Sequence, residues 1–260
     1  DDRLLAVTTL SFDISVLELF LPLITGAELV LASSDQVADG RSLGEIVRNH
    51  DITILQATPA TWTLLLSEGW RGKKNMKALC GGEALPPYLV QNLLPMVKEL
   101  WNMYGPTETT VWSSCCQITD PDETITVGKP INNTTINILD SNNNPLPVGV
   151  IGEVAIGGMG VTKGYHNRPE LTQEKFTRLE EGMIYKTGDQ GRLLENGTLE
   201  ILGRIDNQVK LRGFRIEPGE IEAVISGLAG VKETVVKIHR FDEKDERLVA
   251  FLNIDSDFGV

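Results

Sequence analysis

The first 120 residues alternate between strand-like and helix-like segments, and this alternation constrains the possible fold more than any other feature. Short apolar runs at 4–10, 28–32 and 52–56 are each followed by a segment with helical spacing. The same pattern continues with strand-like runs at 77–80 and 100–103. Parallel strands need long crossover connections, which are usually helices. The sequence therefore predicts an α/β fold with a parallel sheet and helices on both faces, with ligands at the carboxyl ends of its strands.

The densest apolar run covers residues 14–25, and it carries Glu18 and Pro22. It is shorter than the roughly 18 residues that a membrane-spanning helix needs. We therefore expect a buried helix over 15–25, ended by Gly26, and no membrane contact.

From about residue 121 the pattern changes to short β-branched runs separated by Gly, Asn and Pro turns. This pattern is typical of a small antiparallel barrel or sheet. After Gly203 a polar joint leads into a strand, a helix that begins near Pro218, and further strands. We predict three parts: an α/β part over 1–120, a β-barrel part over 121–203 and the start of an α+β unit over 204–260.

The charge balance excludes one class of partner. The chain has 36 acidic and 24 basic residues, a formal net charge of -12, whereas nucleic-acid binding needs clustered Lys and Arg. Its three cysteines lack metal-ligand spacing, and the chain begins in a strand-like run without a leader. These features predict no nucleic-acid partner and a cytoplasmic location.

The stretch WNMYGPTETT at 101–110 offers the first candidate site. Gly105 and Pro106 break the strand, and Thr107 and Glu108 stand where a new helix could begin. A hydroxyl and a carboxylate on such a turn suit a phosphate and its metal ion, and they equally suit a helix cap. The stretch alone leaves both interpretations open.

Six ordered segments resemble the adenylate-forming superfamily, and specifically the amino-acid adenylation domains of nonribosomal peptide synthetases. They are FDIS at 12–15, GGEAL at 81–85, NMYGPTE at 102–108, GEVAIGGMGVTKGY at 152–165, YKTGD at 185–189 and GRIDNQVKLRGFRIEPGEIE at 203–222. The resemblance implies a flavodoxin-like parallel sheet, a β-barrel subdomain and a C-terminal lid. It also implies a longer domain, whose phosphate loop and C-terminal lysine lie outside this chain.

The resemblance implies that the domain activates an amino acid with ATP as aminoacyl-adenylate, releases pyrophosphate and passes the acyl group to a carrier-protein thiol. Glu108 matches the Mg²⁺ ligand, and Thr107 matches the hydroxyl donor to the α-phosphate. The nucleotide would meet the remaining matched positions, namely Gly81, Gly82, Glu83, Tyr104, Gly105, Asp189 and Arg204.

The lid residues have their own implied roles. Asp206 matches the hinge about which the lid rotates, and a hinge needs a loop position that absorbs a backbone change. Lys210, Arg212 and Arg215 resemble a basic stripe that meets carrier and nucleotide, or else the solvent face of a strand. Gly213 would let a phosphopantetheine arm pass, or would simply be a turn glycine. The implied partners are a peptidyl carrier protein and neighbouring synthetase domains.

Asp13 matches the carboxylate that pairs with the α-ammonium of the amino acid, and the alternative is a helix N-cap for 15–25. The other matched pocket positions are Ile14, Leu17, Gln56, Leu79, Gly81, Met103, Val111 and Trp112. No charge faces the side-chain end, and Leu17, Met103 and Trp112 are bulky. The resemblance therefore implies glycine as the substrate, with alanine second, while Gln56 leaves a small polar side chain open.

Two other functions stay open at this stage. An acyl- or aryl-CoA ligase of the same superfamily shares the adenylate step but needs no partner for an amine. Asp13 therefore distinguishes activation of an amino acid from activation of a simple carboxylic acid. A non-catalytic fragment that binds adenine nucleotide would need neither the phosphate loop nor the lysine.

Overall fold

A computed structural model of the chain describes residues 2–179, 182–211, 214–241 and 246–254. The chain divides into two compact units, residues 1–203 and residues 204–260. Among the described residues, no helix combines the length and the apolar character that crossing a membrane requires.

The first unit contains a seven-stranded sheet in the order β2-β1-β3-β4-β5-β6-β7, in which β1 to β5 are parallel and β6 and β7 antiparallel. Its strands are β1 (Arg3–Ala6), β2 (Glu28–Leu31), β3 (Ile54–Ala57), β4 (Lys73–Gly81), β5 (Val97–Tyr104), β6 (Ser114–Ile118) and β7 (Lys129–Pro130). The order 2-1-3-4-5 is that of flavodoxin-like sheets, as predicted. The long antiparallel edge was not predicted.

Five helices connect these strands: α1 (Ser15–Thr25), α2 (Ser34–Ala38), α3 (Gly40–Asn49), α4 (Pro59–Ser67) and α5 (Pro87–Leu93). Short 3-10 turns follow at Leu94–Met96 and Thr107–Thr109. Side-chain caps explain where two of these helices begin. Asp39 accepts hydrogen bonds from two backbone amides at the start of α3, and Thr58 accepts one at the start of α4.

Helices cover both faces of the sheet, as the alternation predicted. On one face a row of paired residues, Leu5, Leu55, Ala78 and Leu100, joins the core formed with α3, α4 and α5. Successive side chains of a strand point to opposite faces. Gln56, which follows Leu55, therefore points to the other face, where it contacts α1.

The prediction that α1 is a buried helix is wrong. Its buried residues are Ser15, Glu18 and Pro22, whereas the large apolar side chains of its outer stripe are exposed. These exposed residues are Val16, Phe20, Leu23 and Ile24. The helix packs with one face on the sheet, and a single packed face buries only the residues at helical spacing along it.

The rest of the first unit is a curled antiparallel sheet in the order β10-β11-β9-β8, with β12 paired to β11. Its strands are β8 (Thr134–Leu139), β9 (Gly152–Gly158), β10 (Phe176–Leu179), β11 (Gly182–Leu193) and β12 (Leu199–Arg204), and α6 (Pro169–Lys175) precedes β10. Two short strands predicted at 183–185 and 192–194 are in fact the single strand β11. A bulge between Lys186 and Gln190 separates the two halves, which explains the broken sequence pattern.

The second unit contains β13 (Val209–Leu211), β14 (Phe214–Ile216), α7 (Pro218–Ser226), β15 (Val231–Arg240) and β16 (Glu246–Ile254). The two hairpins are antiparallel, and α7 begins at Pro218 as predicted. The side chain of Glu222 on α7 accepts a hydrogen bond from the backbone amide of Val236 on β15.

Candidate functional site

Several of the predicted site residues lie at the carboxyl ends of the parallel strands, around the point where β1 and β3 lie side by side. The chain leaves β1 toward β2 on one side, and it leaves β3 toward β4 on the other. Such a switch in direction opens a crevice in α/β sheets, and ligands bind there. Asp13 follows β1, Gln56 lies near the end of β3, and Gly81 ends β4.

Asp13 carries a buried oxygen without a partner. Its Oδ2 atom is buried and makes no hydrogen bond, and α1 begins after Ile14 without any side-chain cap. The N-cap interpretation of Asp13 is therefore wrong. Because a buried carboxylate oxygen is costly unless it is paired, this position suits a cationic group.

Three of the predicted pocket residues are joined by hydrogen bonds. The indole Nε1 of Trp112 donates to Gln56 Oε1 at 2.9 Å, and Gln56 Nε2 donates to the carbonyl of Ile14 at 3.2 Å. Trp112 is 5% exposed and Gln56 is 1% exposed. The amide of Gln56 is thus committed to the protein, which argues against the expectation that it recognises a polar substrate side chain.

The ends of β4 and β5 complete this side of the pocket. Gly81 pairs with Met103, and a Cβ atom at Gly81 would collide with the ring of Trp112. Gly82 has φ +88°, and a Cβ there would meet Ile14 Cδ1 at 3.6 Å. A side chain at Gly81 would prevent the close approach of Trp112, whereas Gly82 is favoured by its positive φ, which glycine adopts readily.

The other predicted pocket residues are placed less directly. Leu79 pairs with Gln56 across β3 and β4, and Leu17 lies on the first turn of α1. Val111 precedes Trp112 and has φ +68°, after Thr110 at φ +66°. This conformation is strained for a β-branched residue, and such strain is concentrated at functional sites.

Tyr104, Gly105 and Asp189 lie together where the two sheets of the first unit meet. Tyr104 ends β5, packs into the apolar core of the curled sheet, and donates from its hydroxyl to Asp189 Oδ2 at 2.6 Å. Asp189 lies within the bulge of β11, directly after Gly188 at φ +72°. Its backbone amide donates to Thr187 Oγ1, so the bulge directs the carboxylate toward the end of β5.

The turn after Gly105 is short. Thr107 is the first residue of the 3-10 turn and Pro106 precedes it without a side-chain cap, so the N-cap interpretation of Thr107 is wrong. Thr107 is exposed, whereas Glu108 is only 6% exposed. Gly105 cannot carry a side chain, because a Cβ atom would lie 2.5 Å from the Val111 carbonyl.

Glu108 is held by a residue that the sequence did not identify. Tyr165, from the loop before α6, donates from its hydroxyl to Glu108 Oε1 at 2.6 Å, and its ring packs edge-on against Phe176. Burial, and then this hydrogen bond, raise the pKa of Tyr165 well above its ordinary value, so the phenol stays a donor. Gly164 and Tyr165 end one of the segments that carry the family resemblance, but a tyrosine in a loop carries no sign of its hydrogen-bond partner.

The described residues contain no group of three or more His, Cys, Asp or Glu side chains that could hold a metal ion. A single buried carboxylate still suits Mg²⁺, which is usually bound through one or two carboxylates, waters and substrate phosphates. Glu108 is buried and fits that requirement.

The remaining predicted residues are Glu83, near the end of β4, and those from Arg204 onward, and each is described by its own neighbours. Glu83 follows Gly82 and is half-buried. Arg204 forms a bidentate pair with Asp206, at 2.7 and 2.6 Å, and Asp206 also accepts from the amide of Gln208. Lys210 and Arg215 are paired residues of β13 and β14. Arg212 and Gly213 lie outside the described residues.

Glu18 is the second functional candidate that the sequence did not identify. It is fully buried, and it accepts hydrogen bonds from the amides of Val7 and Thr8, the hydroxyl of Thr8 and Gln56 Nε2. Burial raises its pKa, while these hydrogen bonds oppose the shift. A charged residue in an apolar run was the only available signal.

Comparisons with known proteins identify similar chains. A family model described as AMP-binding enzyme matches residues 1–166. The chain is 42% identical to a dimodular nonribosomal peptide synthase of Bacillus subtilis (strain 168), over 98% of this chain and 11% of that protein. It therefore spans about a tenth of the length of this relative.

Two solved structures share the fold. One is a four-domain nonribosomal peptide synthetase bound to AMP and glycine, with a TM-score of 0.77 and 45% identity over 98% of this chain and 20% of that one. The other is a synthetase protein containing adenylation and PCP domains, with a TM-score of 0.87 and 28% identity over 99% of this chain and 46% of that one. The chain belongs to the family of AMP-binding enzymes, and within it to the adenylation domains of nonribosomal peptide synthetases.

Proposed function

We propose that this chain activates a small neutral amino acid with ATP, forming aminoacyl-AMP and pyrophosphate, before the acyl group passes to a carrier. The observation that carries this proposal is the buried, unpartnered Oδ2 of Asp13 beside the closed Gln56–Trp112 pair. An α-ammonium group would neutralise that oxygen, whereas a simple carboxylic acid has no group to offer it. This favours an amino acid over the substrates of an acyl- or aryl-CoA ligase.

In the proposed reaction an oxygen of the substrate carboxylate attacks the α-phosphorus of ATP. The new bond joins that oxygen to the α-phosphorus, and the bond to the bridging oxygen breaks and releases pyrophosphate. Such a step needs positioning and stabilisation of charge on phosphoryl oxygens more than covalent chemistry. The exposed hydroxyl of Thr107 would donate to the α-phosphate, and Glu108 would hold Mg²⁺.

The nucleotide would lie along the strand ends. The backbone of Gly81, Gly82 and Glu83 would follow the adenine, beside Tyr104 and Gly105, because the glycines permit close approach. Asp189 would accept from the ribose hydroxyls, since a carboxylate offers two acceptor oxygens. Arg204 is proposed as a second ribose contact.

Glycine is the favoured substrate, with alanine second. The pocket residues Ile14, Leu17, Leu79, Met103, Val111 and Trp112 carry no charge, and the amide of Gln56 is already satisfied by protein groups. The related four-domain synthetase has glycine bound, which supports the same assignment here. Selection of so small a substrate depends on steric exclusion of larger side chains.

Transfer to the thiol of a phosphopantetheine group on a peptidyl carrier protein would follow. The solved relatives that contain adenylation and PCP domains support this partner, alongside neighbouring synthetase domains. Asp206 is proposed as the hinge of a lid formed by residues 204–260, and its pairing with Arg204 would stabilise one setting of that hinge.

The test is ATP–pyrophosphate exchange with each of the twenty amino acids, on the full-length protein that carries this sequence. We expect the highest exchange with glycine or alanine. Changing Met103 or Trp112 to Ala should shift the preference toward larger side chains, because each removal leaves space in the pocket. A clear wild-type preference for Phe, Arg or Glu contradicts the assignment of the substrate.

A further inference from the structure

We propose that Glu18, which lies behind the pocket, determines substrate size selectivity by holding Trp112 through Gln56. The inference rests on the proposed amino-acid activation and names a positioning residue for it. The atoms involved form one chain of contacts: Glu18 Oε1 to Gln56 Nε2 at 3.1 Å, and Gln56 Oε1 to Trp112 Nε1 at 2.9 Å. All three side chains are at most 5% exposed, so water does not compete for these bonds.

The orientation of the Gln56 amide follows from its neighbours. An indole N–H is only a donor, so the atom that faces Trp112 has to be the amide oxygen. The amide nitrogen then faces two acceptors, the Ile14 carbonyl and Glu18 Oε1. Turning the amide over would place two donors against each other at Trp112 and two acceptors at Glu18.

Glu18 is itself fixed at both oxygens. Oε2 accepts from the amides of Val7 and Thr8, both at 2.9 Å, and Oε1 accepts from the hydroxyl of Thr8 and from Gln56. A carboxylate satisfies all four donors because it has no hydrogen of its own. Glu18 thereby ties the end of β1 to α1 and sets the acceptor that Gln56 needs.

The result at the pocket is a fixed indole ring. The ring of Trp112 lies against Gly81, where it would collide with any Cβ atom, so it is held on one side by the strand and on the other by Gln56. A ring in one position excludes side chains larger than that of the substrate. A ring that is free to rotate admits them.

The variant Glu18→Gln tests this chain of contacts with almost no change in shape. Its NH₂ group cannot face the amides of Val7 and Thr8, so it takes the Oε1 position and faces Gln56 Nε2. Two N–H donors then oppose each other. Gln56 would have to turn its oxygen toward residue 18 to accept from the new amide, and it could then no longer accept from Trp112. A second variant, Gln56→Met, keeps the approximate volume of the side chain and removes the hydrogen bonds to Glu18, to Trp112 and to the Ile14 carbonyl.

The measurement is kcat/KM for glycine and for alanine in pyrophosphate exchange, on the full-length protein that carries this sequence. We expect the glycine-to-alanine ratio to fall about 10-fold in both variants, since one methyl group is typically discriminated by a factor of this size. Tyr88→Phe is the matched control, because it removes one half-buried hydrogen bond, to Thr63, away from the pocket. Its ratio should equal that of the wild type.

The reciprocal double variant Glu18→Gln with Gln56→Glu separates positioning from folding. It keeps the charge, and an amide at 18 can donate to a carboxylate at 56 that still accepts from Trp112, while the hydrogen bond to the Ile14 carbonyl is lost. We expect it to recover part of the lost ratio. A structural defect would instead lower kcat/KM for both amino acids together and leave the ratio unchanged.

A second readout follows the ring directly. In protein labelled with 5-fluorotryptophan, the ¹⁹F signal that disappears in Trp112→Phe belongs to Trp112, and it should shift or broaden in Glu18→Gln. An unchanged signal, or an unchanged ratio in both single variants while Trp112→Ala alters it, overturns the inference. If the wild type prefers another amino acid, the proposed substrate fails, and the ratio is measured between that acid and its homologue with one more methylene.

Discussion

The hydroxyl of Tyr104 donates a 2.6 Å hydrogen bond to Asp189, a carboxylate 85 residues later in the chain. The bond joins the end of a parallel strand to a bulge in the curled sheet, and both side chains are at most 8% exposed. It therefore connects the two sheets at the edge where the nucleotide is proposed to bind. Because both groups are buried, water does not compete for this bond.

We expect Tyr104→Phe to raise the KM for ATP about 3- to 10-fold, because Asp189 loses a donor that fixes its orientation. The KM for the amino acid should change little, since the hydroxyl of Tyr104 bonds Asp189 of the curled sheet, which is not one of the pocket residues named above. Pyrophosphate exchange at varied ATP measures both constants. An unchanged KM for ATP would mean that the orientation of Asp189 does not matter for nucleotide binding.

Asp13→Asn should abolish exchange with amino acids, because the ammonium group would lose its only proposed anionic partner. A simple carboxylic acid of similar size, such as acetate, should be activated no worse than by the wild type. The comparison uses exchange with glycine and with acetate. Equal losses for both acids would place Asp13 in the structure of the site and not in recognition of the amine.

Tyr165→Phe should weaken the response to Mg²⁺, because Glu108 would lose the donor that orients it. Loss of a group that orients a metal ligand typically costs about 10- to 100-fold in metal affinity or activity. The measurement is exchange as a function of Mg²⁺ at saturating glycine, with Tyr88→Phe as the control. A half-saturating Mg²⁺ concentration equal to that of the wild type would falsify the role of Tyr165 in orienting Glu108 as a Mg²⁺ ligand.

The buried carboxyl of Glu18 predicts a pH dependence of stability. Its pKa is raised above the ordinary value of 4.5, first by burial, so the folded chain keeps this proton at pH values where the unfolded chain has lost it. The stability of the wild type relative to Glu18→Gln is therefore greatest below pH 4.5 and falls as the pH rises through the folded pKa. Urea unfolding of both proteins between pH 4 and 7 measures this difference, and a constant difference would contradict it.

Much of the architecture could be predicted because it depends on local patterns. The helix over 15–25 was located to the residue, and the parallel order of the first five strands follows from the alternation of strand and helix. The burial of that helix could not be predicted, because an apolar composition does not say which faces meet a partner. The break in β11 was misread as two strands, since a bulge interrupts the period of a strand without ending it.

The candidate site, too, was determined partly by the sequence and partly by the tertiary structure. The sequence by itself determined which residue types stand at the strand ends, namely Asp13, Gln56, Gly81, Tyr104 and Glu108, because short-range order along the chain places each after its strand. Only the tertiary structure decided which of them touch. It placed Tyr104 on Asp189, Tyr165 on Glu108 and Glu18 behind Gln56, because a hydrogen bond between residues far apart in sequence depends on how whole elements pack.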